Sequence, residues 1–263
     1  MSTPSIHVGD SASVRYLLRL ADSCLILSQR LGEWCGHGPI LEEDLALTNM
    51  ALDLVGQARG LLTRVGQLDG KGHDEDQLAF LREERHYYNP VLMELPNGDG
   101  RPGDFAFTQL RNFAVATWLE LLWQRLQSSS DAEVAAIAAK AVKEARYQQQ
   151  HAADWVVRLG DGTAESKARM EAALATLWPF FNELFVDDAV DAAAVQSGLG
   201  PAWSELKAEW QQAMDAVLDE AGLAQPKPSA YVSAGRQGVH SEHMGHMLAE
   251  MQYLQRAYPG GVW

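Results

Sequence analysis

The residues of this chain with the clearest chemical potential are carboxylates and imidazoles that could hold two metal ions inside a bundle of helices. In di-metal bundles, two helices each supply one glutamate, and two others each supply a Glu-x-x-His pair. The three-residue spacing places both ligands of a pair on one helix face, where carboxylate and imidazole donors suit transition metals. The chemistry therefore depends on which side chains this sequence offers at those positions.

The first pair of predicted helices does not offer a complete ligand pair. Counting from the predicted turn near Gly38 places Leu54 where the glutamate belongs and Gln57 where the histidine belongs. The facing position on the preceding helix falls near Asp22. Leucine has no donor atom, and a neutral amide oxygen is a poor ligand for a transition metal.

The second pair of predicted helices retains one or two of the expected donors. Counting from a turn near Ser129 gives Glu144 in the glutamate position and Tyr147 in the histidine position. The mirror position on the preceding helix falls near Ala114, while Glu120 lies roughly 9 Å further along that helix. The sequence thus predicts a degenerate site. Because buried polar groups need partners, Asp22, Gln57 and Glu144 could instead bond to one another.

A second group of potential ligands lies near the C-terminus. It comprises His240, Glu242, His243, His246 and Glu250. Histidines three residues apart drift by roughly 60° per step around a helix, so three of them do not readily share one metal ion. A pair formed by His243 with His246 or Glu250 remains possible. We favour a docking or capping helix over a metal site here.

The pattern of apolar residues along the chain is helical throughout. Two long hairpins are predicted, one on each side of the segment "GQLDGKGHDEDQ", and further helices follow them, with an interruption at Pro179. The segment "NPVLMELPNGDGRPGDF" is rich in proline and glycine and is predicted to form a long surface loop. The sequence therefore predicts an all-α bundle of two helical hairpins with additional C-terminal helices, in one domain over residues 1–263.

The bulk properties exclude several classes of function. A formal net charge of −14 disfavours binding to nucleic acid, which depends on clustered basic residues. Cys24 and Cys35 are too few for a disulfide framework and fit reduced thiols. The first residues do not resemble a secretory leader, and no segment approaches the roughly 18 apolar residues that span a bilayer. We expect a cytoplasmic protein that does not bind a membrane.

Several long segments resemble one known family. They are "LLRLADSCLILSQRLGEWCGHGPILEEDLALTNMALDLVGQAR", "EERHYYNPVLMELPNGD" followed by "DFAFTQLRNF", "KEARYQQQHAADWVVRLGDGT" and "GVHSEHMGHMLAEMQYLQR". In these segments the chain resembles the C subunits of bacterial phenylacetyl-CoA epoxidases, components of an NADPH- and O2-dependent monooxygenase complex of phenylacetate catabolism. Compared with relatives, about five extra residues lengthen the loop at 97–104.

This resemblance implies a fold and a set of partners. It implies a ferritin-like subunit that binds no cofactor of its own and has no working metal site. The expected partners are a related catalytic A subunit with the di-iron centre, a B subunit, and a reductase that carries FAD and an iron-sulfur cluster. The expected assembly is a hetero-oligomer, with a homodimer possible for the isolated chain.

Two alternatives to a non-catalytic structural subunit remain open from the sequence. The first is an active di-metal oxidase or oxygenase with a shifted ligand set, formed by Asp22, Asp53, Glu120 and Glu144 with one histidine. The second is a metal-free helical module that binds an acyl-CoA or another small ligand. Metal content separates the first from the structural subunit, and saturable ligand binding would support the second.

Overall fold

The computed structural model describes residues 3–100 and 103–261 of the chain. Within these residues the secondary structure is helical, apart from one isolated antiparallel bridge between Ala234 and Val239. The α-helices are α1 (Ala12–Gly32), α2 (Leu41–Leu68), α3 (Glu75–Phe80), α4 (Val91–Glu94), α5 (Phe105–Leu126), α6 (Ala132–Gly160), α7 (Ala164–Leu177), α8 (Ala189–Ser197), α9 (Lys207–Glu220), α10 (Glu242–Met251) and α11 (Tyr253–Ala257). The predicted all-α class is confirmed.

The two predicted hairpins are α1–α2 and α5–α6, and side-chain caps define where three of these helices begin. Ser11, Asp104 and Asp131 each accept a hydrogen bond from a backbone N–H in the first turn of α1, α5 and α6. The acidic residues Glu42 and Asp44 in the first turn of α2 favour the positive end of that helix. Each of the four hairpin helices therefore begins where the sequence supplies a capping side chain or a favourable charge.

The hairpins pack against each other through their apolar faces, and α2 lies next to α6. Helices α1 and α5 are buried along most of their length, including Trp118 and Trp123. Helices α7 and α9 cover one side of the second hairpin, and α8 covers α1. No helix in the described ranges has both the length and the apolar character needed to cross a membrane.

The prediction of a surface loop between the hairpins is partly wrong. The segment contains α4, whose residues are all buried, and the preceding Asn89 is fully buried as well. The buried Arg30 explains this, because its guanidinium donates to the Glu94 carbonyl oxygen at 2.9 Å through Nε and at 2.6 Å through Nη2. Proline and glycine in the sequence indicated the chain reversals but not the buried turn between them.

The later helices agree with the prediction at Pro179 and depart from it in two places. The chain breaks at Pro179 as predicted, with a 3-10 segment over Trp178–Phe185 following α7. Helix α8 was not predicted, and the last predicted helix is divided at Gln252 into α10 and α11. Gln252 donates to the Arg82 carbonyl oxygen and to the Tyr87 hydroxyl, which ties the break to the bundle.

A network of buried charges attaches the C-terminal segments to the bundle. Arg236 donates to both oxygens of Asp191 at 2.7 and 2.9 Å, and its guanidinium carbon lies 3.8 Å from the ring centroid of Trp203. Arg19 of α1 bonds to Asp191 and to Asp188. Because each guanidinium faces carboxylates, the buried charges are compensated.

Candidate functional site

The centre of the predicted site is a direct contact between the two hairpins. Gln57 on α2 donates from Nε2 to Glu144 Oε2 on α6 at 3.0 Å. The other oxygen of Glu144 lies 3.3 Å from Lys140 Nζ, one turn earlier on the same helix. Both carboxylate oxygens therefore already have partners within the protein. The predicted hydrogen bond between Gln57 and Glu144 is therefore confirmed.

The remaining side chains around this contact make it a mixed polar and apolar seam. The Cys24 thiol donates to Gln57 Oε1 at 3.5 Å, so the Gln57 amide is bonded at both ends. Burial raises the pKa of Cys24, and the nearby Glu144 raises it further, which keeps the thiol protonated. Leu54, one turn before Gln57, is fully buried and packs in the core.

The contact belongs to a row of cross-helix pairs along the antiparallel α2–α6 seam. Gln148 Nε2 donates to Asp53 Oδ2 at 3.5 Å, and Arg64 lies 2.8 Å from Asp131 near the far end. Burial raises the pKa of Asp53, and Glu144 adds to this effect. The neighbouring carboxylates of Asp53 and Glu144 are thus each held by a glutamine across the seam.

Asp22 lies elsewhere, and the prediction that it bonds to Gln57 and Glu144 is wrong. Its carboxylate accepts two hydrogen bonds from Arg82, one of them at 2.9 Å, and a third from the Tyr88 backbone N–H at 2.8 Å. Both ionic side chains are fully buried. Two residues along a helix correspond to a rotation of roughly 200°, so Asp22 faces away from Cys24 and from the seam.

Glu120 and Tyr147 also lie apart from the Gln57–Glu144 contact. Glu120 Oε1 accepts from Arg146 Nε at 2.9 Å and from Gln124 Nε2 at 3.1 Å, on the rim between α5 and α6. Tyr147 is exposed, and its ring lies 6.2 Å from that of His151. Of the six positions where the sequence count places metal ligands, the structure brings only Gln57 and Glu144 into direct contact, and Leu54 packs beside them.

A small cavity adjoins the seam in the interior of the bundle. It has a volume of about 10 Å³ and is lined by apolar side chains together with the amides of Asn112 and Gln148. Small-molecule sites are usually some 300–1,000 Å³ in volume, whereas about 10–15 Å³ suffices for one water molecule. This cavity is too small to hold an acyl-CoA.

Comparison with known proteins identifies the family. The sequence model of the phenylacetic acid catabolic proteins matches residues 2–263. The C subunit of the 1,2-phenylacetyl-CoA epoxidase of Escherichia coli strain K12 is 49% identical over 248 residues, which cover 94% of this chain and 98% of that protein. The chain belongs to the phenylacetic acid catabolic protein family. The resemblance seen in the sequence segments is thereby confirmed.

In this member of the phenylacetic acid catabolic protein family, the residues at the seam do not fit a di-metal centre. The Glu144 carboxylate already pairs with Lys140 and the Asp53 carboxylate accepts from Gln148. Gln57 offers only a neutral amide, and Leu54 offers no donor atom. Across residues 3–100 and 103–261, no group of three or more His, Cys, Asp and Glu side chains is arranged to hold a metal ion.

The C-terminal histidines of this family member fall into two groups. His240 Nδ1 donates to Glu94 Oε2 at 2.7 Å and its Nε2 donates to the Tyr87 carbonyl oxygen at 2.9 Å. Both partners are acceptors, so this arrangement favours the doubly protonated ring, and although burial lowers the pKa of His240, the Glu94 carboxylate outweighs burial and raises it. His243 and His246 instead line an open groove of about 510 Å³, together with Glu250 and His37.

The loop at 97–104 is anchored at both ends in this chain. Asn97 donates to the Arg30 carbonyl oxygen at 2.7 Å and to Glu33 at 2.9 Å, and it accepts from Arg111. The Asp104 N–H donates to the Asn97 carbonyl oxygen at 2.6 Å, which closes the loop. The predicted extension includes Arg101 and Pro102, which lie outside the described residues.

Sequence reasoning missed three side chains that bond to the candidate residues Gln57, Asp22 and His240. The sequence indicates Cys24 only as a reduced thiol, although it reaches Gln57, and it does not identify Arg82 as the partner of Asp22. A buried aspartate in the middle of an apolar helix such as α1 indicates a buried cation, but the sequence does not say which one. Glu94, the partner of His240, lies in the segment predicted to be an exposed loop.

Proposed function

We propose that this chain is the non-catalytic C subunit of a cytoplasmic phenylacetyl-CoA 1,2-epoxidase and that its ferritin-like bundle stabilises the catalytic di-iron A subunit. The similarity to the Escherichia coli relative supports membership of such a complex, since the chain covers nearly all of that protein at 49% identity. In this proposal the B subunit and the reductase with FAD and an iron-sulfur cluster complete the assembly.

The contact between Gln57 and Glu144 is the observation that supports a non-catalytic role. In a di-metal bundle these two positions would point ligands at the metal ions, whereas here they bond to each other at 3.0 Å. A hydrogen bond across the seam holds α2 and α6 together without a metal ion. The retained fold then serves to present an outer surface to a partner.

The experiment is reconstitution of the epoxidase from the A and B subunits, the reductase and either this chain or its Glu144→Gln variant. Glutamine keeps the size of the side chain and can still bond to Gln57, so the fold should be preserved. A non-catalytic role predicts that the A subunit co-purifies with both forms and that ring epoxidation of phenylacetyl-CoA is equal within about twofold.

Two results would contradict the proposal. The first is a chain that forms no complex with the A subunit in size-exclusion chromatography. The second is a Glu144→Gln complex of normal composition whose turnover falls by a factor of about 10² or more, as expected when a group in the reaction is removed. The matched control is Glu165→Gln, which alters an exposed carboxylate paired with Arg169 on α7.

A further inference from the structure

A pocket lined by aromatic rings lies beside α9 and shares no residue with the α2–α6 seam. It has a volume of about 330 Å³ and is bounded by the 3-10 segment Trp178–Phe185, the start of α9 and the irregular segment 225–229. Small-molecule sites usually measure some 300–1,000 Å³. The pocket is therefore large enough for a ligand with one ring, and we call it the aromatic pocket.

Four rings in a continuous series of inclined contacts form the apolar wall of the aromatic pocket. The ring centroids of Trp178 and Phe181 are 5.7 Å apart, and those of Phe181 and Trp210 are 5.3 Å apart. Phe185 lies 5.1 Å from Trp210, whose Nε1 donates to the Ala114 carbonyl oxygen at 2.8 Å and thereby fixes the ring on α5. Trp178 is only partly buried, so a ligand ring can extend the series in the inclined arrangement that aromatic pairs favour.

The opposite wall is an irregular segment that is held in place at both ends. Asn182 Nδ2 donates to the carbonyl oxygens of Ser229 and Tyr231, at 2.9 Å each. At the other end, Leu223 is buried and its N–H donates to the Leu218 carbonyl oxygen at 2.9 Å. Because this wall is already ordered, binding requires little further ordering of the chain, which favours affinity.

The lining of the aromatic pocket includes one cation, Lys207, at the start of α9. Lys207 is exposed, and within residues 3–100 and 103–261 its ammonium has no carboxylate partner and no aromatic face. Lys140, by comparison, lies 3.3 Å from Glu144. An unpaired lysine beside four rings is complementary to a ligand that joins one aromatic ring to one negative charge.

We propose that the aromatic pocket binds a one-ring aromatic carboxylate, with the ring against Trp178 and Phe181 and the carboxylate at the Lys207 ammonium. A coenzyme A thioester is a poorer match, because its several phosphate charges would meet one cation. The inference goes beyond the proposed function, since it concerns the isolated chain and does not depend on the catalytic subunit. Free phenylacetate is the probe, because it is the acid component of the thioester in the proposed function.

Isothermal titration calorimetry of the purified full-length chain with phenylacetate measures the binding. We expect one molecule per chain, with a dissociation constant below about 1 mM. Lys207→Met keeps the apolar part of the side chain and should raise this constant about tenfold or more, because a hydrogen bond between charged groups is lost. Lys227→Met is the matched control, since Lys227 is exposed on segment 225–229 without lining the pocket, and it should change the constant by less than about twofold. Circular dichroism checks that each variant is folded.

A neutral ligand separates the contribution of the charge from that of the ring. Phenylacetamide has the same ring and nearly the same size, so it should bind the original chain about tenfold more weakly than phenylacetate does, and Lys207→Met should not weaken it further. NMR spectra locate the site. The indole N–H signal of Trp178 should shift as phenylacetate is added, whereas that of the buried Trp34, which donates to Thr108 on α5, should not.

Three results would overturn the proposal. They are the lack of saturable binding up to about 10 mM phenylacetate, equal affinities of the original chain and Lys207→Met, and binding that leaves the Trp178 signal unchanged. If phenylacetate does not bind but Lys207→Met abolishes co-purification with the catalytic subunit, the pocket receives a group of that subunit and the ligand proposal is wrong. Failure of the original chain to form the complex would contradict the proposed function and leave the binding result to decide this inference.

Discussion

Gln57 and Glu144 form a hydrogen bond of 3.0 Å that joins the first helical hairpin to the second. The bond lies at the positions where the sequence count predicts two of the ligands of a di-metal bundle. Lys140 and Cys24 complete the hydrogen-bonding and charge requirements of the pair. Hydrogen bonds between protein side chains therefore hold α2 and α6 together at this point of the bundle.

Replacement of Gln57 by leucine should destabilise the chain. Gln57 is 4% exposed, so the variant removes a donor from the partly exposed Glu144 and leaves the fully buried Cys24 thiol without its acceptor. We expect the free energy of unfolding to fall by about 1–3 kcal/mol. Urea denaturation followed by circular dichroism measures the change.

Gln196→Leu is the control for this experiment. Gln196 is exposed on α8, so its replacement should change the free energy of unfolding by less than about 0.5 kcal/mol. Equal stabilities of the Gln57 variant, the control and the original chain would show that the seam does not depend on the hydrogen bond.

Replacement of Asp22 by asparagine should have a larger effect. The variant leaves the fully buried Arg82 guanidinium without its counter-charge. Burial lowers the pKa of Arg82, but Asp22 outweighs burial and raises it, so the arginine remains charged in the folded chain. Breaking one side of a buried ion pair typically costs about 3–5 kcal/mol, and we expect a loss of that size in urea denaturation.

The exposed pair between Arg15 and Asp10 provides the comparison. These side chains are 2.9 Å apart, and Asp10 is 81% exposed, so Asp10→Asn should cost less than about 1 kcal/mol. If Asp22→Asn and Asp10→Asn had the same small effect, Asp22 would not have the structural role that its contacts with Arg82 and Tyr88 indicate.

The stability of the chain should depend on pH through His240. Burial lowers the pKa of His240, but hydrogen bonding to Glu94 and the charge of Glu94 outweigh burial, and the net shift is upward. A raised folded pKa stabilises the protein fully below the unfolded value of about 6.5, and the stabilisation is lost as pH rises through the folded pKa. Stability measured in urea from about pH 6 to pH 9 should therefore decline.

His240→Gln should remove this component of the decline, while His37→Gln, which alters an exposed histidine, should retain it. The chemical shifts of the His240 ring provide a direct titration in the folded chain. A midpoint below the ordinary histidine value would contradict the assignment of an imidazolium bonded to Glu94 and Tyr87.

The two cysteines should differ strongly in reactivity. Burial raises the pKa of Cys24, and its thiol is fully buried against Gln57, whereas Cys35 is exposed. Since the thiolate is the reactive form, a thiol reagent at about pH 7.5 should modify one cysteine per folded chain quickly and the second only after unfolding. Two equally fast reactions in the folded chain would mean that the seam opens to solvent.

The elements that follow from local patterns were predictable from the sequence. Helix α5 illustrates this, because apolar periodicity and the cap at Asp104 are local signals. The sequence also shows that position 54 cannot supply a metal ligand, since leucine has no donor atom. These features depend on residue type and helical spacing, and both can be read along the chain.

The partners of buried polar groups could not be predicted in the same way. Asp22 finds Arg82 from a segment 60 residues away, and His240 finds Glu94 at a separation of 146 residues. Each pairing depends on how the connecting segments fold over the hairpins. The predicted angular position of Asp22 on α1 is also wrong, because an uncertainty of about two residues in the turn rotates the predicted ligand to the opposite face.

We propose that the interior of this bundle is closed by hydrogen bonds and holds no redox-active metal pair. The most direct measurement is the iron content of the chain, purified aerobically after expression with its catalytic partner and then separated from that partner. We expect far less than one iron per chain, with the iron remaining in the partner. Two irons per chain, with the spectrum of an oxygen-bridged pair that is lost in Glu144→Gln, would contradict it.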